Sequence, residues 1–288
     1  MPGFPEADVE ISEALVRQLL TESPWPSPKE VRFVARGFDN EIWWADGRAV
    51  RIPRRAVAVP ALVNEQQWLN KVVSDLPLEA PAVMYRGAPS IHFPYPWSIT
   101  HFCEGTPGIV IAPTTRGNSA KQLGAALRAL HHEAPSDAPT NPFRGVALAQ
   151  RQENLLTRLA QVDSSTRSVV LHYFERGVNA AEHSGPGVWL HGDVHPGNLI
   201  FREGELVGLI DFSDLCAGDP AVDVGGALFS LPAERHREFW SAYSDVDHDL
   251  HARAYGWAAL FAILHLQIGL DEYTALGNDG LAWLCELD

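Results

Sequence analysis

HGDVHPGNLI (residues 191–200) and GLIDFSD (residues 208–214) are the stretches on which the reading of this chain turns. GVWL leads into the first and LIFREG follows it. LVGLIDF then returns as the second arm of a hairpin turned at Glu203-Gly204. Asp193 and Asn198 are therefore expected on a loop between strands, five residues apart, with Asp211 at the end of the hairpin's second strand. A carboxylate that can orient a hydroxyl and take its proton is thus followed by an amide carbonyl and a second carboxylate. Both are hard oxygen donors of the type magnesium prefers. These are the parts that phosphoryl transfer requires.

Outward from this island the pattern divides. Helical periodicity fills residues 119–132, 147–160, 164–182, 221–231, 234–243 and 250–270. Near the N-terminus, Val9, Ile11, Leu15, Val16 and Leu19 predict an amphipathic helix with Asp8 as its N-cap. Three prolines in SPWPSP (residues 23–28) end it. From Val31 the period shifts towards two, and VRFVAR, EIWWAD and RAVRIP read as strands, the last two joined by the tight-turn dipeptide Asp46-Gly47. A helix over 61–73 and strands near 82–85 and 96–103 complete a small antiparallel sheet lobe. The expected fold is α+β with two lobes: residues 1–105 around the sheet, and a mainly helical lobe over 106–288.

Composition narrows the function. The 288 residues carry 22 Lys and Arg against 36 Asp and Glu, a formal charge of −14, which argues against nucleic acid as a partner. Three cysteines without CxxC spacing predict neither a disulfide framework nor a zinc site, and Cys103 and Cys216 read as buried apolar residues. Twelve histidines include no HExxH. The start, MPGFPEADVE, has no signal-peptide character, and the longest apolar stretch (257–266) is interrupted by His265 and too short to span a bilayer. A cytoplasmic protein with no membrane partner is expected. The sequence leaves its oligomeric state open.

The D-x-x-x-x-N spacing followed by a strand-borne Asp is the pattern of protein-kinase catalytic and metal loops. Together with GDPAVD (residues 218–223), the two stretches resemble the aminoglycoside phosphotransferase family, within a protein-kinase-like fold and close to its macrolide 2'-phosphotransferases. The resemblance implies that Asp193 is catalytic and that Asn198 and Asp211 bind magnesium. It assigns Arg51 of RIPRR (51–55) to the nucleotide phosphates, with Glu65 as its ion-pair partner. The G-x-D-N turn (Gly37, Asp39, Asn40) would cover the nucleotide. WSITHFCEG (97–105) would meet the purine through the backbone of Thr100, His101 and Phe102. His191, Asp219 and Asp223 would brace the catalytic loop, and Asp214 reads as a solvated or outlying carboxylate. Most kinases place Lys where Arg51 stands; arginine keeps the charge but presents it as a planar fork.

The function so implied is a kinase: a nucleotide-dependent O-phosphotransferase that uses ATP or GTP to phosphorylate a hydroxyl of a small-molecule antibiotic. RIPRR, LPLEAP and the apolar stretch WAALFAILHLQIGLDEY (257–273) favour a macrolide 2'-hydroxyl slightly over an aminoglycoside. Asp271 and Glu272 are candidate carboxylates for the acceptor's amine. Two alternatives remain: a metabolic kinase for choline, homoserine or a sugar, and a pseudokinase that binds nucleotide or ligand without chemistry.

Overall fold

Ser12, not Asp8, starts the first helix. In the computed structural model, which describes residues 5–244 and 248–287, α1 spans Glu13–Leu20 and the Ser12 hydroxyl accepts from the Leu15 amide at 3.3 Å. Asp8 is drawn elsewhere: its carboxylate accepts from the Ala56 amide at 2.6 Å. Three strands follow, β1 (Val31–Arg36), β2 (Asn40–Ala45) and β3 (Arg48–Pro53). Asp46 and Gly47 both take positive φ, 44° and 83°, as a two-residue hairpin between right-twisted strands requires.

Helix α2 (Val59–Val72) has proline in its first turn, where the missing amide hydrogen costs nothing. Strands β4 (Val83–Gly87) and β5 (Trp97–His101) complete an antiparallel sheet in the order β1-β2-β3-β5-β4. Gly87 is obligatory there, because a Cβ would lie 2.1 Å from the Trp97 ring. Val16, Leu19, Val50, Ile52, Phe93, Trp97 and Ile99 form the core beneath the sheet. Residues 5–74 and 79–104 make up this unit.

The second unit comprises residues 75–78 and the described residues from 105 onward. It runs β6 (Thr106–Pro107), α3 (Pro113–Gly117), α4 (Ala120–Leu130), α5 (Gln152–Leu159) and α6 (Ser164–Asn179). Then come β7 (Val188–Leu190), β8 (Leu199–Arg202), β9 (Glu205–Leu209) and β10 (Cys216–Gly218), followed by α7 (Ala221–Ser230), α8 (His236–Tyr243), α9 (His248–Leu266) and α10 (Asp271–Glu286). β7 pairs with β10, and β8 lies between β6 and β9. Every residue of α7 is buried, as is every residue of α9 from Gly256 to Ile263, so these two helices form the centre of the unit.

The helix expected over 250–270 ends at Leu266, and the apolar run 257–273 is divided between two helices. α9 stops at Leu266, Gly269 takes φ 84°, and α10 starts at Asp271, so residues 257–273 are not continuous. Similarly, 148–151 is a 3-10 turn and only the remainder of 147–160 is α-helix. Among the described residues, no helix is long and apolar enough to cross a membrane. None of the three cysteines is in a disulfide; Cys103 and Cys216 are buried and Cys285 is exposed.

Candidate active site

The chain leaves β7 through Gly192, whose φ of 84° and proximity to Asp214 exclude a side chain: a Cβ would stand 2.6 Å from the Asp214 carbonyl oxygen. Asp223, in the first turn of α7, accepts from the His191 amide at 2.6 Å and the Gly192 amide at 2.8 Å. His191 is wholly buried, and its Nδ1 accepts from the Asp193 amide at 3.1 Å. The proton must then sit on Nε2, which donates to the Ile210 carbonyl at 2.8 Å. One imidazole thereby ties the loop carrying Asp193 to the strand end carrying Asp211. Asp219 reaches a different place: it accepts from the Ala221 amide at 3.0 Å and from Arg253 Nε at 2.7 Å on α9.

Pro196–Asn198 form one 3-10 turn. The Asn198 side-chain nitrogen donates to the Asp193 carbonyl at 2.9 Å, and the Asn198 carbonyl accepts from the Ile210 amide at 2.9 Å. Asn198 is therefore backbone-paired with the residue next to Asp211. Asp211 takes φ 63°, and the Ser213 hydroxyl donates to its carboxylate. The Asn198 amide nitrogen being committed, its oxygen is the atom left to bind a cation. With the Asp211 carboxylate it makes a hard-oxygen pair on neighbouring positions, a donor set that fits magnesium.

Asp193 is engaged at both carboxylate oxygens. Arg144 Nη2 lies 3.0 Å from Oδ1 and His195 Nε2 3.5 Å from Oδ2. His195 Nδ1 accepts from the Gly197 amide at 3.1 Å, so its proton is on the nitrogen facing Asp193. Arg144 also reaches Asp214 through Nε at 3.2 Å, and Asn141 donates to the other Asp214 oxygen at 2.8 Å. Burial would raise the Asp193 carboxyl, but His195, which faces it with an N–H, and the Arg144 charge outweigh burial and hold the group well below the usual carboxylate range. Burial raises Asp214, with Arg144 opposing.

Behind His195 stands an aromatic wall. The His265 ring is 5.2 Å from His195, and Tyr273 lies 5.8 Å from both rings. Burial, with His195 beside it, pushes His265 down to about 3, so this imidazole is neutral. Burial and the Asp193 charge push the Tyr273 phenol up to about 12. Asp271 and Glu272 are exposed in the first turn of α10, where carboxylates suit the positive end of the helix dipole. The residue that α10 turns toward the wall is Tyr273.

In the sheet unit, Arg51 on β3 and Glu65 on α2 form a buried pair, Nε to Oε2 at 3.1 Å. The other arginines of RIPRR brace the preceding turn. Arg54 Nη1 donates to the carbonyls of Gly37 at 3.1 Å and Phe38 at 3.3 Å, and Arg55 pairs with Asp39. Gly37 closes that turn by donating to the Asn40 carbonyl at 2.8 Å, and Asn40 is buried at the start of β2. Thr100 and His101 lie within β5, where the His101 amide is spent on the Ala82 carbonyl at 2.9 Å; Phe102 is the first residue beyond the strand.

Sequence reasoning missed Arg144, His195, His265 and Tyr273; Asp214 reaches Asp193 only through Arg144. His195 was visible inside the quoted loop. Arg144 carries no local signal, since its contact with Asp193 spans 49 residues.

Compared with known proteins, residues 30–261 match the family model described as "Phosphotransferase enzyme family". No curated protein matches the sequence. Solved structures share the fold. The GDP and kanamycin complex of APH(2")-IIia superposes with a TM-score of 0.71 at 20% identity, over 96% of this chain and 98% of that one. A macrolide 2'-phosphotransferase type I gives 0.65 at 20% identity over 94% and 98%. Macrolide 2'-phosphotransferase MphH from Brachybacterium faecium gives 0.62 at 17% over 92% and 97%.

Proposed function

Since this chain belongs to the phosphotransferase enzyme family, we propose that it moves the terminal phosphoryl group of ATP or GTP to a hydroxyl of a small-molecule antibiotic, a macrolide 2'-hydroxyl before an aminoglycoside. The observation that carries this reading is the second unit's constellation. Asp193 is held ionised, with Asn198 and Asp211 on adjoining positions of the same hairpin. The neutral aromatic wall of His265 and Tyr273 supports the acceptor class, since a macrolide presents one amine on a large apolar ring rather than several ammonium groups.

In the mechanism we infer, Arg51, fixed by Glu65, holds nucleotide phosphate, and the turn at 37–40, braced by Arg54 and Arg55, covers it. Asn198 and Asp211 would hold magnesium, which neutralises charge on the transferring phosphoryl group when bound. Asp193 accepts a hydrogen bond from the acceptor hydroxyl and aligns it. So acidic a carboxylate is a weak base, and it takes the proton late. That suits the loose transition state of phosphoryl transfer, which needs alignment more than early deprotonation. Arg144 and His195 keep the carboxylate ionised and fix its plane.

Asp193→Ala is expected to lower kcat by about 10²–10⁴ with nucleotide affinity nearly unchanged, measured by single-turnover transfer and nucleotide titration. An equal collapse of nucleotide affinity overturns the role. The deciding experiment is phosphate transfer from labelled ATP and GTP to erythromycin, kanamycin and choline. Labelled erythromycin is the expected result, and labelled kanamycin moves the acceptor to the aminoglycosides. Labelled choline alone replaces the reading with a metabolic kinase. Nucleotide binding without transfer to any of a wide panel of alcohols replaces it with a pseudokinase.

A further inference from the structure

Besides the hard-oxygen pair of the helical unit, the sheet unit gathers donors of a different kind. Glu79, His101 and Cys103 offer a carboxylate oxygen, an imidazole nitrogen and a thiol sulfur, all within 4.8 Å of one another. Among the described residues no other three His, Cys, Asp or Glu donors meet in this way. Glu79 Oε2 and His101 Nε2 are already 3.5 Å apart. Donors about 2.0–2.3 Å from a tetrahedral zinc ion lie roughly 3.3–3.8 Å from each other, so side-chain rotation of about 1 Å closes the set.

The backbone explains the convergence. His101 ends β5 and Cys103 follows two residues later. The His101 amide donates to the Ala82 carbonyl at 2.9 Å, and the Ala82 amide to the Ala80 carbonyl at 2.7 Å, a tight turn that delivers Glu79 to the end of the strand. Cys103 is buried at the base, 8% exposed, while the Glu79 and His101 side chains are 34% and 49% exposed at the rim.

We propose that Glu79, His101 and Cys103 bind one thiophilic divalent cation of the zinc class, with the fourth position open to water. Binding replaces the Cys103 S–H bond by a sulfur–metal bond, the proton passing to solvent, and uses the neutral imidazole through Nε2. Hard magnesium does not compete, because thiolate and imidazole donors disfavour it. The metal would use the side chains of Glu79, His101 and Cys103, whereas the purine contact expected of His101 uses its backbone, and none of the three belongs to the Asp193 constellation.

The test is titration of the reduced, chelator-treated full chain with cobalt(II) as a spectroscopic stand-in for zinc. One equivalent is expected to bind with tetrahedral ligand-field bands and a thiolate-to-cobalt charge-transfer band, reversed by zinc and untouched by excess magnesium. Cys103→Ser is expected to abolish the charge-transfer band, and Cys285→Ser to leave it unchanged. His101→Gln, a rim substitution that spares the core, is expected to weaken binding by more than about 100-fold, since losing a ligand costs at least as much as losing a supporting contact. A charge-transfer band that survives Cys103→Ser, affinity unchanged in His101→Gln, or the absence of stoichiometric binding overturns the proposal and leaves Glu79 and His101 as a surface contact.

Discussion

Arg144 does for Asp193 what the sequence motif alone does not. It satisfies one oxygen of the carboxylate and anchors itself on Asp214, so guanidinium and both carboxylates are fixed together at 3.0 and 3.2 Å. Removing it in Arg144→Met leaves burial opposed by His195, and the Asp193 carboxyl rises. In the wild type the folded group lies below its ordinary value, so it stays ionised as pH falls through the weakly acidic range. In the variant it protonates within that range. The acid limb of kcat/KM is therefore expected to move to higher pH, with a loss at neutral pH of about 10²-fold from misplacement of the carboxylate. Arg144→Lys keeps a charge but cannot bridge both aspartates with one fork, so it restores the pH profile more than the rate. Superimposable acid limbs for wild type and Arg144→Met would remove Arg144 from the mechanism. Asp193, Asn198 and Asp211 were legible because one loop and one hairpin carry them. Arg144 was not, because loop-to-loop contacts across 49 residues leave no periodicity to read.

Helix α7 acts on the site as a rigid floor. Asp223 takes two loop amides, and Gly226, one turn on, lets the loop backbone come so close that a Cβ would stand 2.3 Å from the Val194 carbonyl. Gly226→Ala must push that backbone away. Because the obstacle is main chain rather than a flexible tip, the variant is expected to lose about 1–3 kcal/mol of stability together with most of its turnover. Asp223→Ala strands two buried amides at about 1–3 kcal/mol each, and Asp223→Asn helps little, since one of its two polar atoms is itself a donor facing an amide. Thermal denaturation beside single-turnover rates checks both positions; a Gly226→Ala protein of wild-type stability and rate contradicts the close approach. The helices themselves were largely legible from apolar spacing, and α7 was expected over nearly its full length. The break between α9 and α10 was not. Ile268 and Leu270 continue the apolar pattern past Gly269, and no helix was expected after 270, where Asp271 and Glu272 open α10.

At the scale of the whole chain, the −14 charge and two buried neutral histidines both concern acid. His265 is folded with its pKa pushed down to about 3, and burial also lowers His236, whose Nε2 lies 3.0 Å from the carbonyl oxygens of Leu228 and Leu231. Above pH 6.5 neither state of His265 is charged, and the histidine leaves stability flat. Between 6.5 and about 3 the unfolded chain binds a proton that the folded chain refuses, so stability falls as pH falls. One such histidine contributes a slope approaching 1.4 kcal/mol per pH unit. Asp193, lowered in the fold, extends the loss below the ordinary carboxylate range by the same sign. His265→Phe keeps a ring against Tyr273 and removes the titration. The variant is expected to start less stable at pH 7.5, having lost the 2.9 Å bond to the Phe261 carbonyl, yet to lose roughly 1 kcal/mol less per pH unit between 6 and 4.5. Urea midpoints at four pH values for the two proteins decide it. Converging lines place the neutral His265 among the causes of acid sensitivity, whereas parallel lines mean that the folded protein protonates this histidine as readily as the unfolded chain.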